Sequence, residues 1–154
     1  MKNFLQLTLW IISFQAMGYI IGLVSRNDLS SWYVRIQKST LTPPNYIFPI
    51  AWTTLYVILA ICGWLIFQKY SASPKILKYL FIIGMLLNWL WTPIFFNLHW
   101  VWTAFIIIDL MILTTLGIII ISYTALPLVS YLLVPYFLWL VFASYLNMII
   151  CVNY

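Results

Sequence analysis

Residues 100–122 read WVWTAFIIIDLMILTTLGIIIIS and carry a single charge, Asp109. A helix of about 20 apolar residues spans a hydrocarbon core about 30 Å thick. This stretch is apolar all round rather than on one face, which suits a lipid surrounding and not the flank of a soluble core. A barrel strand would need about half this length and strict alternation. The expectation is a membrane-spanning helix.

Working outward, four more runs of the same kind flank it, at residues 4–24, 46–68, 79–96 and 126–152. A polar loop, 25–45, separates the first two. Residues 69–78 link the second and third, a tight turn at Asn97, Leu98 and His99 follows the third, and residues 123–125 form a short turn before the last. Short turns force neighbouring helices to lie antiparallel. The predicted fold is all-α, one domain over 1–154, a bundle of five transmembrane helices with loop 25–45 as a lid.

Composition agrees. Of 154 residues 66% are hydrophobic and 6% charged, with a mean hydropathy of +1.06, against about 25% charged in ordinary soluble domains. That excludes a soluble enzyme, a nucleic-acid binder and a disordered tail. The first run is longer than the roughly 7–15 apolar residues of a signal-peptide core and lacks a clear small-residue cleavage site, so it reads as a retained helix. Cys62 and Cys151 form no metal spacing and fall toward opposite faces of the bilayer, so no internal disulfide is expected.

The net charge is 7 − 2 = +5. Lys2, Lys69, Lys75 and Lys78 fall on the N-terminal side of the bundle, and Arg26, Arg35 and Lys38 on the other. This near balance leans toward an N-terminus inside. Pro93 and Pro135 fall inside runs and should kink them. Gly18 and Gly22 form a G-x-x-x-G, read first as internal packing rather than as a dimer contact.

Aromatic residues make up 19% of the chain, including nine tryptophans. Interfacial belts account for Trp10, Trp32, Trp100 and Trp102, but Trp52, Tyr56, Trp89, Trp91, Phe95 and Trp139 lie well inside the runs. Three stripes emerge at helical spacing: Trp52, Tyr56 and Gly63; Asn88, Trp91 and Phe95; Trp139, Ala143 and Asn147. An intramembrane amide is costly unless it meets partners or a cavity. Facing inward, the stripes would line an aromatic pocket with a few polar anchors, suited to a flat hydrophobic ligand. Asp109 reads first as a hydrogen-bonded packing residue, because no second acid and no intramembrane base accompanies it. A single histidine, His99, makes no zinc site. No metal is expected and no cofactor is required. The residues supply no nucleophile triad and no phosphate loop, so no ordinary enzymatic site exists.

Several segments together resemble one family. They are Trp32-Tyr33, Gln37-Lys38, Thr42-Pro43-Pro44 and Trp52-Thr53-Thr54-Leu55-Tyr56; then Leu87 to Phe96; then Asp109-Leu110; then Pro135 to Asn147. In order, and over essentially the whole chain, they are similar to the translocator protein, or tryptophan-rich sensory protein, family. The resemblance implies a five-helix membrane protein, commonly a homodimer, whose first loop folds over a pocket for protoporphyrin IX or related tetrapyrroles. It implies a receptor or sensor in tetrapyrrole regulation. Two alternatives stand beside it: a carrier of tetrapyrrole or lipid, and a light- and oxygen-dependent catalyst of porphyrin breakdown using Trp52 and Trp139. The ligand-binding positions expected are Tyr33, Trp52, Tyr56, Asn88, Trp91, Phe95, Trp139, Ala143 and Asn147. The chain departs from the family pattern twice. Ser39 and Leu41 stand where the loop usually has proline and tryptophan, which should loosen the lid. No basic residue follows Asn147, so the cholesterol motif expected there is incomplete.

Overall fold

The computed structural model describes residues 2–26, 31–68 and 74–154. Five long helices account for most of them: α1 (Lys2–Val24), α2 (Ile47–Phe67), α3 (Lys75–Phe96), α4 (Val101–Ala125) and α5 (Pro127–Asn153). Each is long and apolar enough to cross a bilayer, with mean hydropathies between 1.6 and 2.7.

Two boundaries differ from the sequence reading, both for local reasons. The third helix starts at Lys75, not at residue 79, directly after Pro74. Lysines look like the end of an apolar run, yet their methylene stems lie along apolar surface while the ammonium reaches outward. The Lys78 ammonium accordingly sits 5.8 Å from the centre of the Phe67 ring. The expected turn at 123–125 is helical, and the chain breaks at Leu126 (φ −143°, ψ 68°) with Pro127 opening α5. A residue before proline is disfavoured in the helical region, so the break falls on Leu126.

The helices form a closed ring in the order α1, α2, α5, α4, α3 and back to α1, with α2 also touching α3. The expected antiparallel pairs α3–α4 and α4–α5 are the most extensive contacts. The segment after α1, the N-terminus of α2, the α3–α4 turn and the C-terminus of α5 share one end of the bundle, the lid end.

The main core runs through the middle of the ring, with Ala60, Cys62, Ile66, Leu77, Val129 and Leu140 fully enclosed. Cys62 and Cys151 are both free and buried. A smaller cluster at the lid end joins Tyr33 to Phe95, Val101, Ala104, Ile150 and Cys151. α1 is peripheral, with 6% of its spanning window buried against 39% for α2 and α5. It is held by rings and small residues. Trp10 packs on Phe14, Phe67 and Phe81. The backbone at Gly63 leaves room for the Trp10 indole, since a Cβ there would stand 2.4 Å from it. Gly18 likewise admits the Tyr56 ring, whereas a Cβ at Gly22 would meet nothing within 4 Å. The first half of the G-x-x-x-G is therefore spent inside the protomer and the second faces outward.

Candidate functional site

The three aromatic stripes do turn inward, and the ring order brings them together. On α2 and α3, the Tyr56 hydroxyl donates to Asn88 Oδ1 at 2.8 Å, and Asn88 Nδ2 donates to the Tyr136 hydroxyl of α5 at 2.9 Å. Asn88 is 2% exposed. Three helices thus close on one amide at mid-bundle, where an unsatisfied amide would be heavily penalised. Trp52 lies one turn above, its ring 5.8 Å from that of Tyr56.

A second polar knot lies nearer the lid. Trp91 Nε1 donates to Asn147 Oδ1 at 3.3 Å. Asn147 Nδ2 donates to the Val101 carbonyl at 3.0 Å and approaches Cys151 Sγ at 3.4 Å, and the Cys151 thiol donates to the same carbonyl at 3.2 Å. This satisfies a carbonyl at the start of α4 and ties α3, α4 and α5 together. Trp91 stacks on Phe95 with centroids 5.1 Å apart and planes 10° from parallel.

The lid rests on this knot. Tyr33 is buried with its ring edge-on to Phe95 and Phe96. Burial pushes its phenol above the ordinary tyrosine value, so it stays neutral at physiological pH. Lys38 Nζ donates to the Tyr33 carbonyl at 2.9 Å and sits 4.6 Å from the centre of its ring. Trp32 stacks on His99 of the α3–α4 turn at 4.2 Å and meets Tyr154 edge-on. His99 has a left-handed backbone (φ 57°).

Further along, the Ser39 hydroxyl accepts the Leu41 amide at 3.1 Å and pairs with the Tyr145 hydroxyl of α5 at 3.2 Å. The sequence reading expected Ser39 and Leu41 to loosen the lid. The structure places a hydroxyl pair with the fifth helix at Ser39, while Leu41 is exposed.

Trp139 sits on the seam between α2 and α5, edge-on to Phe48 and next to Phe142. Its Nε1 is buried with no hydrogen-bond partner among the described residues. Ala143 packs against the main core one turn on. Asp109, on α4, accepts a hydrogen bond from the Ser144 hydroxyl at 2.6 Å. That is the packing role expected for it.

The nine sequence-predicted positions therefore divide. Tyr56, Asn88, Trp91, Phe95 and Asn147 form the interior knots with their polar atoms spent on protein. Tyr33 is the root of the lid. Trp52, Trp139 and Ala143 line the upper part of the α2–α5 side. The sequence reading missed Tyr136 as a partner of Asn88, although it stands three residues before Trp139 and extends that stripe by one turn. It also missed Tyr145, which falls on the lipid-facing side of α5 and so outside any inward stripe. Rather than an open pocket, the stripes pack on one another. A crevice toward the far half of the bundle, lined by Leu59, Phe81, Met85, Thr115, Ile118 and Tyr136, holds about 240 Å³ of empty space including its open part. The enclosed part amounts to about 10 Å³, room for about one water molecule and far short of a small-molecule pocket.

The five apolar helices make this an integral, multi-pass membrane protein. The TspO/MBR family model matches residues 10–152. The tryptophan-rich protein TspO of Archaeoglobus fulgidus is 32% identical over 149 residues, covering 96% of both chains. Protein CrtK of Rhodobacter capsulatus is 27% identical over 93% of this chain and 91% of its own. The translocator protein of Sus scrofa is 30% identical over 81% of this chain and 78% of its own. With its five-helix ring, its aromatic interior and these matches along nearly its whole length, the chain belongs to the TspO/MBR family.

Proposed function

We propose that this protein is a membrane receptor or sensor that binds protoporphyrin IX or a related flat tetrapyrrole between α2, α5 and the lid, and acts in tetrapyrrole regulation. The observation that carries the reading is Trp139: a buried indole N–H with no partner among the described residues, on a seam it shares with Phe48 and beside the face that holds Trp52 and Ala143. A buried donor left unpaired costs about 1–3 kcal/mol, and an acceptor on a ligand would recover it. Indoles also offer flat faces for stacking on a macrocycle. Family membership supports the same reading. A second copy of the chain would lie against the bundle's lipid-facing surface, where α1 is the least enclosed helix.

The test is a titration of the purified protein with protoporphyrin IX in the dark, following tryptophan quenching with inner-filter correction. Saturable, stoichiometric quenching is expected, weakened about tenfold or more in Trp139→Phe, in line with loss of one charge-free hydrogen bond and its stacking surface. Linear, non-saturating quenching by the wild type rejects the reading.

A further inference from the structure

The two ends of the bundle treat their cations differently. At the lid end, Lys38 is folded back onto the Tyr33 carbonyl and ring, and Arg35 Nε donates to the Ser31 carbonyl at 2.8 Å. At the far end, Lys75 is exposed at the first residue of α3, and the Lys78 stem crosses the Phe67 ring toward the outside. Lys2 opens α1 at the same end. Lys69, outside the described residues, belongs to the link between α2 and α3. The chain has only two acids. Asp28, outside the described residues, belongs to the segment between α1 and α2, and Asp109 is inside α4 on Ser144. Among the described residues the far end therefore carries Lys75 and Lys78 and no carboxylate side chain, and in the sequence Lys2 and Lys69 belong to the same side of the topology.

Around those lysines stand exposed tyrosines: Tyr79 at the start of α3, Tyr123 at the end of α4 and Tyr131 at the start of α5, with the last two in edge-on contact at 6.4 Å. Tyrosine rings favour the level of the lipid headgroups. Tyr79 marks that level about one turn from Lys75 and next to Lys78, so the ammoniums reach the phosphates of the same leaflet.

We infer that the end of the bundle opposite the lid is a binding surface for anionic phospholipid headgroups. Lys75 and Lys78 have no acid beside them among the described residues, and exposed tyrosines at the same end mark the headgroup level. A juxtamembrane lysine gains about 1 kcal/mol at an anionic surface, about a fivefold change in association each. At the lid end the Arg35 and Lys38 head groups are each held by a loop carbonyl, so they reach outward less freely. The inference is independent of the ligand bound at the seam.

The full chain is reconstituted in phosphatidylcholine bilayers, and the immobilised fractions of spin-labelled phosphatidylglycerol and phosphatidylcholine are compared. The wild type should prefer phosphatidylglycerol. The preference should fall toward unity in the Lys75→Gln/Lys78→Gln double variant, by up to about fivefold per lysine, and stay unchanged in Arg35→Gln. Both lysines lie at the membrane edge, so the double variant keeps the core. Raising salt on the wild type gives a second reading without mutation, because it should erode the preference as the Debye length shrinks. Equal immobilisation of the two lipids by the wild type overturns the inference. So does a preference that survives in the double variant, that falls equally in Arg35→Gln, or that ignores salt.

Discussion

Ser39 and Tyr145 show what one hydroxyl can do at the rim of this bundle. The Ser39 Oγ accepts the Leu41 amide and meets the Tyr145 hydroxyl, so it both shapes the loop and fastens it to α5. Ser39→Ala removes both bonds and Tyr145→Phe removes one. With a net worth of about 1 kcal/mol per bond, amide exchange at Leu41 should quicken about fivefold in Ser39→Ala, with the melting temperature almost unmoved. Exchange monitored by mass spectrometry on the lid peptide checks this, and equal rates would show that the latch is idle. Asn147 is the opposite case, an amide with every group committed. One interhelical hydrogen bond in a membrane protein averages only about 0.6 kcal/mol. Asn147→Ala, however, loses several bonds at once and strands the Trp91 indole N–H. The loss should reach about 2 kcal/mol, read as a drop in denaturation midpoint. Asn153→Ala is the control, because its bond to the Ile149 carbonyl is local and exposed.

At the scale of elements, α1 depends on close approach rather than on polar ties. Its one described side-chain bond to α2 runs from Gln15 Nε2 to the Thr53 carbonyl at 2.8 Å. The rest is ring packing through two glycines. A Cβ at Gly63 would stand 2.4 Å from Trp10 and 2.9 Å from Phe81. Gly63→Ala should therefore cost about 1–3 kcal/mol as an overpacked contact. Gly22→Ala meets open space, and exchanging glycine for alanine in a helix should leave stability equal or up to about 1 kcal/mol higher. Thermal melting of both variants tests the pair. A harmless Gly63→Ala would mean that Trp10 swings away freely and that α1 is held by something other than this fit.

At the scale of the whole molecule, acidic charge inside the described spans is confined to one position. Asp109 is the single acid within a described span, and its carboxylate is matched to the Ser144 hydroxyl. Asp109→Asn keeps an oxygen for that hydrogen bond. Porphyrin affinity and folding yield should both stay within about twofold of wild type, since less than about 0.5 kcal/mol is at stake. The same titration reads this out, and a large loss of binding would move Asp109 from packing into the ligand site.

Sequence alone determined the number of spans, their order and their lining. These depend on run length, on the all-round apolar character of residues 100–122 and their counterparts, and on the short turns, all of which are local properties. It also placed Asn88, Asn147 and the aromatic stripes on inward faces, because helical periodicity and the cost of a lipid-exposed amide leave little choice. Counting alone left the cations of the two ends nearly balanced, four against three. Tertiary structure decided which partners those inward groups find. Asn88 closes on Tyr56 and Tyr136, and Asn147 on Trp91 and Val101, through contacts 32 to 56 residues apart in the chain. It decided that Gly18 is filled and Gly22 open, that Ser39 pairs with Tyr145 of α5, and that the Trp139 indole N–H finds no partner among the described residues. Such outcomes depend on helix rotation and on sub-ångström fit in three dimensions. A periodic pattern fixes the face on which a side chain lies, and only the packed ring fixes what that face meets.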